Sequence, residues 1–171
     1  MLRKIKQHSL RKTTNRNLQN RDVSQRNSPL QQLGFLVDET VLDDLENIYG
    51  FSKEIGLLPN NVKVFIFLET KHKLPSLIQN QINNSEFSWK GEVTNQNARE
   101  FLDFPFDVLV GFYDKNNPFL NRMVSDSKAK FTVGFKGVDE RLFDLILNVP
   151  PQDFQAFQKE LTKYLTVLNK I

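Results

Sequence analysis

The side chains of this chain that could do chemistry gather behind three apolar runs. Asp38, Glu39 and Thr40 follow residues 33–37, Glu69, Thr70 and His72 follow residues 62–68, and Tyr113, Asp114, Asn116 and Asn117 follow residues 106–112. If the runs are strands of a parallel sheet, these groups share one end of it, where such sheets bind ligands. Asp38, Glu39, Glu69 and Asp114 are hard oxygen donors of the kind that hold Mg²⁺, but acids at strand ends serve more often as helix caps. His72, between Lys71 and Lys73, reads as a solvent-exposed residue. A general base needs a partner within hydrogen-bond reach, and the spacing supplies none. The cleft candidates are therefore Asp38, Glu69, His72, Tyr113, Asp114 and Asn116, with no catalytic, cofactor-binding or metal-binding residue assigned.

Motifs that would specify a reaction are missing. Neither G-x-G-x-x-G nor G-x-x-x-x-G-K-[ST] occurs, so the usual backbone cradle for a pyrophosphate is absent and no cofactor is expected. There is no G-x-S-x-G elbow. The chain has no cysteine, which removes disulfides, thiolate metal sites and cysteine nucleophiles and agrees with a reducing, cytoplasmic setting. Trp89, the single tryptophan, is expected as a core anchor rather than a stacking platform. Gly134 and Gly137 read as turn glycines supplying positive φ after a strand.

The compositional outlier is the N-terminus. Residues 1–26 hold eight cations (Arg3, Lys4, Lys6, Arg11, Lys12, Arg16, Arg21 and Arg26) against Asp22, a net charge of +7. The other 145 residues carry 15 basic and 19 acidic side chains, a net charge of −4. His8 joins the same basic segment. Cations interleaved with Asn, Gln, Ser and Thr suit phosphate oxygens, so those eight side chains are the nucleic-acid-binding candidates. A helix over residues 2–20 would put Leu2, Ile5, Ser9 and Thr13 on one side, a thin apolar face. Residues 1–30 are therefore expected to form a basic polar arm, and residues 31–171 the folded domain.

Continuous apolar runs at 33–37, 62–68 and 106–112 predict strands covered on both faces. Further strands are predicted at 87–93, where apolar and polar residues alternate, at 131–135, and within 141–149. Helical spacing is read from residue 41, with Thr40 as N-cap, in a short helix near 75–82, at 95–103, after the Asn116-Asn117-Pro118 cap, and at 154–168. Strands alternating with helices imply an α/β three-layer sandwich around a mostly parallel, five- or six-stranded sheet of Rossmann or flavodoxin type. No apolar run reaches the roughly 20 residues of a membrane span, and no signal-peptide core is present.

The segments Phe87-Ser88-Trp89-Lys90-Gly91, Phe106-Asp107-Val108-Leu109-Val110-Gly111-Phe112-Tyr113, Arg141-Leu142-Phe143-Asp144-Leu145-Ile146-Leu147 and the ending Lys163-Tyr164-Leu165-Thr166-Val167-Leu168-Asn169-Lys170-Ile171 resemble a family of uncharacterised bacterial proteins of about this length, a domain of unknown function. The likeness covers most of the chain, arm included, and implies no activity. Residues 127–134 are also faintly similar to a strand entry in heptosyltransferase-type glycosyltransferases, which implies an α/β sandwich and nothing more.

Three roles follow from these readings. The first is a non-catalytic protein that binds RNA or a ribonucleoprotein through the basic arm. The second is a nucleotide- or sugar-binding enzyme, or the remnant of one, using the strand-end cleft. The third is a peripheral membrane adaptor, since anionic leaflets also attract basic segments. A protein partner for the body is compatible with the first. No oligomeric state is indicated.

Overall fold

Apolar runs with no polar face need cover on both sides. The computed structural model, which describes residues 1–171, provides it with helices above and below one sheet. The sheet has six strands in the order β3-β2-β1-β4-β5-β6, all parallel. The strands are β1 (Leu33–Asp38), β2 (Val62–Leu68), β3 (Gln81–Asn83), β4 (Val108–Phe112), β5 (Thr132–Phe135) and β6 (Leu145–Leu147). Side chains alternate between the two cores. Leu33, Phe35 and Val37 of β1 and Val108, Val110 and Phe112 of β4 enter one, while Leu36, Leu109 and Tyr113 enter the other.

The first core is closed by α2 (Leu45–Glu54) and α5 (Phe154–Val167), through Ile48, Phe51, Phe157, Leu161 and Leu165. The second is closed by α1 (Leu2–Gln19), α3 (Gln96–Asp103) and α4 (Pro118–Asp126), through Leu10, Phe101, Leu102, Leu120 and Met123. This is the expected three-layer α/β sandwich. Asn117 caps α4 by accepting the N–H groups of Phe119 and Leu120, with Pro118 in the first turn.

Several local expectations give way to competing physics. Thr40 does not cap a helix. Asp38 accepts its N–H in a 3₁₀ turn, and α2 starts later, capped by Asp44. Residues 75–80 form no helix; they are loop, with Leu77 fully in water, and Ile82 belongs to the edge strand β3. The alternating stretch 87–93 is not a strand of the sheet but a tight hairpin with one antiparallel bridge, Phe87 to Val93. Gly134 lies inside β5 without positive φ, where an added Cβ would come within 2.5 Å of the Phe143 ring. Gly137 alone of the pair takes positive φ.

The largest difference concerns the first thirty residues. Residues 2–19 are a helix docked on α4, and its inward positions are Leu10, Thr14 and Asn17, not Leu2, Ile5, Ser9 and Thr13. Leu2 and Ile5 face water. Small and polar residues make this contact because their hydrogen bonds are satisfied within it. Thr14 donates to the Leu10 carbonyl, and Asn17 donates to Ser125 and Asp126 of α4. The connection from α1 to β1 is held by buried charge. Lys170, 4% exposed, donates to the carbonyls of Arg26 and Ser28 and covers the Phe131 ring. Asp107 accepts the N–H groups of Gln31 and Gln32 and the Lys130 ammonium. The arm and the body differ in charge but pack as one unit.

Candidate functional site

Strand order reverses between β1 and β4, so their C-terminal ends frame the crevice that such sheets use for ligands. Its chemistry is structural. Asp38 accepts the N–H and hydroxyl of Thr40, and Asp114 accepts the Gln152 amide at 2.8 Å. The Tyr113 ring is fully buried and its hydroxyl donates to Asn121 at 2.9 Å. Burial, with the charge of Asp139, pushes that phenol well above its usual range, so it stays a neutral donor. Asn121 in turn donates to Asn116. The β1–α2 connection carries Asp38, Glu39, Asp43 and Asp44, which repel phosphate at the place where nucleotide-binding sheets of this topology put a glycine-rich turn. No three acidic or histidine side chains converge on a point that could hold a metal ion.

The six cleft candidates therefore separate. Asp38, Tyr113 and Asp114 stay at the β1 and β4 ends. Asn116 lines a small cleft beside Arg11, Asn15 and Arg141. Glu69 and His72 lie in a different cleft, beyond β2.

The eight basic candidates separate as well. Arg21 and Arg26 are bound to Asp144, whose side chain is only 6% exposed. Burial alone would raise the Asp144 carboxyl, but Arg21, the Thr132 N–H and Arg26 hold it below the ordinary carboxylate range. Arg21 and Arg26 are thus fold residues, which the sequence reading missed. The available signal was an acid embedded in an apolar run, as in Phe143-Asp144-Leu145 and Phe106-Asp107-Val108. Arg3 lies 3.6 Å from Glu69 with both side chains in water, a weak pair. Lys6 donates to the Asn84 carbonyl and is partly buried, which lowers its pKa. Lys4, Arg11, Lys12 and Arg16 are exposed on α1 and make no ion pair. At 100° per residue these four and His8 fall within one arc of about 140° on α1, with Lys12 and Arg16 across from the Leu10–Thr14 seam and Arg11 flanking it beside Thr14. No acid interrupts that helix.

At the first turns of α1 lies a cleft of about 840 Å³. Arg3 and Lys6 of the helix form one wall, Glu69, Lys71 and Lys73 of the loop after β2 another, and Trp89 a third. Trp89 is 60% exposed and not the core anchor its composition suggested. The reason is the turn. Gly91 N–H bonds to the Ser88 carbonyl and Gly91 takes φ +76°, so Trp89 and Lys90 occupy the two tip positions while Phe87 and Val93 point inward. The Lys90 ammonium stands 5.3 Å from the indole centroid.

No helix is long and apolar enough to cross a membrane. The family model that matches the chain, over residues 6–168, is described as a family of unknown function (DUF6913). That agrees with the resemblance to an uncharacterised family; the glycosyltransferase likeness of residues 127–134 finds no support. No curated protein and no solved structure matches the chain.

Proposed function

Because the chain belongs to the DUF6913 family, whose function is unknown, we propose its role from its own surface: a non-catalytic, cytoplasmic protein that binds RNA, free or within a ribonucleoprotein, through the outer face of α1. The observation that carries this reading is the set Lys4, Arg11, Lys12 and Arg16, four cations without acidic partners on one face of an acid-free helix. They span about 18 Å of helix axis, from the rise per residue. The helix is anchored by Leu10, Thr14 and Asn17, so the charges are displayed on a rigid element rather than on a tether. Arg21 and Arg26 drop out of the interface because Asp144 occupies them. Acids at the β1–α2 turn argue against phosphate binding in the strand-end crevice and so against the nucleotide-enzyme alternative.

The test is fluorescence anisotropy with a labelled single-stranded RNA across a salt series. Four phosphate contacts give a log–log slope near −2.8, so affinity falls about 50-fold between 50 and 200 mM salt. Replacing Lys4, Arg11, Lys12 and Arg16 together with alanine removes most of that slope. Binding that ignores salt, or survives the fourfold variant unchanged, rules the proposal out.

A further inference from the structure

We propose that the cleft around Trp89 takes an unpaired nucleobase, stacked on the indole, with the adjoining phosphates on Lys71, Lys73 and Arg3. This rests on the RNA reading and narrows it from polyanion to single strand.

Four observations converge. The first is an exposed indole at the tip of a hairpin, a position that exposes apolar surface to water with no fold-related return. Stacking against a base removes that surface from water and works for any base, since each has a π face. The second is charge. Arg3, Lys6, Lys71 and Lys73 line the cleft against one acid, Glu69, which already faces Arg3. His72 stands between the two loop lysines.

The third is rigidity. The base of the loop after β2 is clamped by a reciprocal pair, Thr70 N–H to the Asn84 side-chain oxygen at 2.7 Å and Asn84 amide to the Thr70 carbonyl at 3.1 Å. Across the cleft, the hairpin is seated by Phe87, whose ring packs edge-on to Phe119 with centroids 5.0 Å apart. Walls fixed in advance reduce the ordering cost of binding. The fourth is shape. A volume of about 840 Å³ lies within the range of small-molecule sites, and a concave cleft with Leu2, Trp89 and Phe119 in its lining admits a flat base where a bilayer cannot enter. Leu2, Arg3 and Lys6 carry the cleft onto the first turns of α1, so a strand leaving it meets the N-terminal end of the basic helix.

Trp89 is the only tryptophan, so its emission reports this site alone. The full-length protein is titrated at fixed salt with a single-stranded oligouridylate, a duplex RNA, heparin, and vesicles of phosphatidylserine and phosphatidylcholine. The single strand is expected to quench emission to saturation, while duplex and heparin bind without quenching. Trp89→Ala weakens the single strand roughly 5- to 150-fold, the range for loss of one stacked base, and leaves heparin affinity unchanged. Trp89→Phe recovers part of the loss. Oligouridylate binding without quenching, and with Trp89→Ala at wild-type affinity, overturns the stacking site while leaving the helix face standing. Absence of any RNA binding overturns both. A blue shift on vesicles through the neighbouring exposed Leu74, Leu77 and Ile78, with no response to oligouridylate, overturns the assignment in favour of a membrane surface.

Discussion

Arg21 places two guanidinium nitrogens on the two carboxylate oxygens of Asp144, at 3.0 and 2.5 Å, across 123 residues of chain. Arg26 adds a third contact at 3.1 Å, and the Thr132 N–H a fourth. One acid thus fixes the exit of α1 against β5 and β6.

Removing that acid leaves two cations facing a site with no counter-charge. Asp144→Ala is expected to cost about 2–4 kcal/mol, short of a fully buried pair because Arg21 and Arg26 keep some water. Urea denaturation at neutral pH measures it; a loss under about 0.5 kcal/mol would make the contact ornamental.

The same pair sets an acid limit. A carboxyl whose folded pKa is depressed contributes stability that is complete above the unfolded value near 3.9 and lost as pH falls through the lower folded value. The stability gap between wild type and Asp144→Asn should therefore be constant from pH 7 to about 5 and close below pH 4. Asp107 and Asp139 are shifted the same way, so the Asp144→Asn variant itself still loses stability in that window. A gap that widens on acidification contradicts the assignment.

Leu10 is completely buried and is the one large apolar side chain that α1 fully commits to the core. Leu10→Ala should cost about 2–4 kcal/mol. Hydrogen exchange should speed up across residues 2–19 well before β1 or β4 responds, because the loss is at one layer of the sandwich. Uniform acceleration over the whole chain would show that α1 does not open separately.

Two glycines should respond with opposite sign. In Gly134→Ala the new methyl meets the Phe143 ring at 2.5 Å, an overpacking expected to cost about 1–3 kcal/mol. Gly50, inside α2, has no atom within 4 Å of an added Cβ, so Gly50→Ala should gain roughly 0.5–1 kcal/mol from helix propensity. Thermal midpoints of the two variants decide both.

The sheet was readable because β1, β2 and β4 are short continuous apolar runs, and a strand covered on both faces has no other economical way to be written. The α4 cap and the apolar stripe of α5 were equally local signals. Trp89 was misread because Phe87, Trp89, Gly91 and Val93 alternate like a strand, whereas a two-residue tip reverses the chain between them. The docking of α1 was hidden for another reason. Its contact depends on Thr14 and Asn17 finding partners in their own helix and on α4, which a hydrophobicity pattern cannot register. The embedded acid Asp144 signals a need for cations but not which ones, because pairing over more than a hundred residues leaves no local pattern, so Arg21 and Arg26 looked identical to Lys12 and Arg16.

Lys170 imposes a timetable on synthesis. Its ammonium holds carbonyls that the ribosome completed 144 and 142 residues earlier, so at roughly 5–20 residues per second that stretch waits on the order of 10–30 s for its latch. Until then the segment leading into the first strand is held beside a nascent parallel sheet by Asp107 and Asp144, which emerge earlier and grip Gln31, Gln32, Arg21 and Arg26.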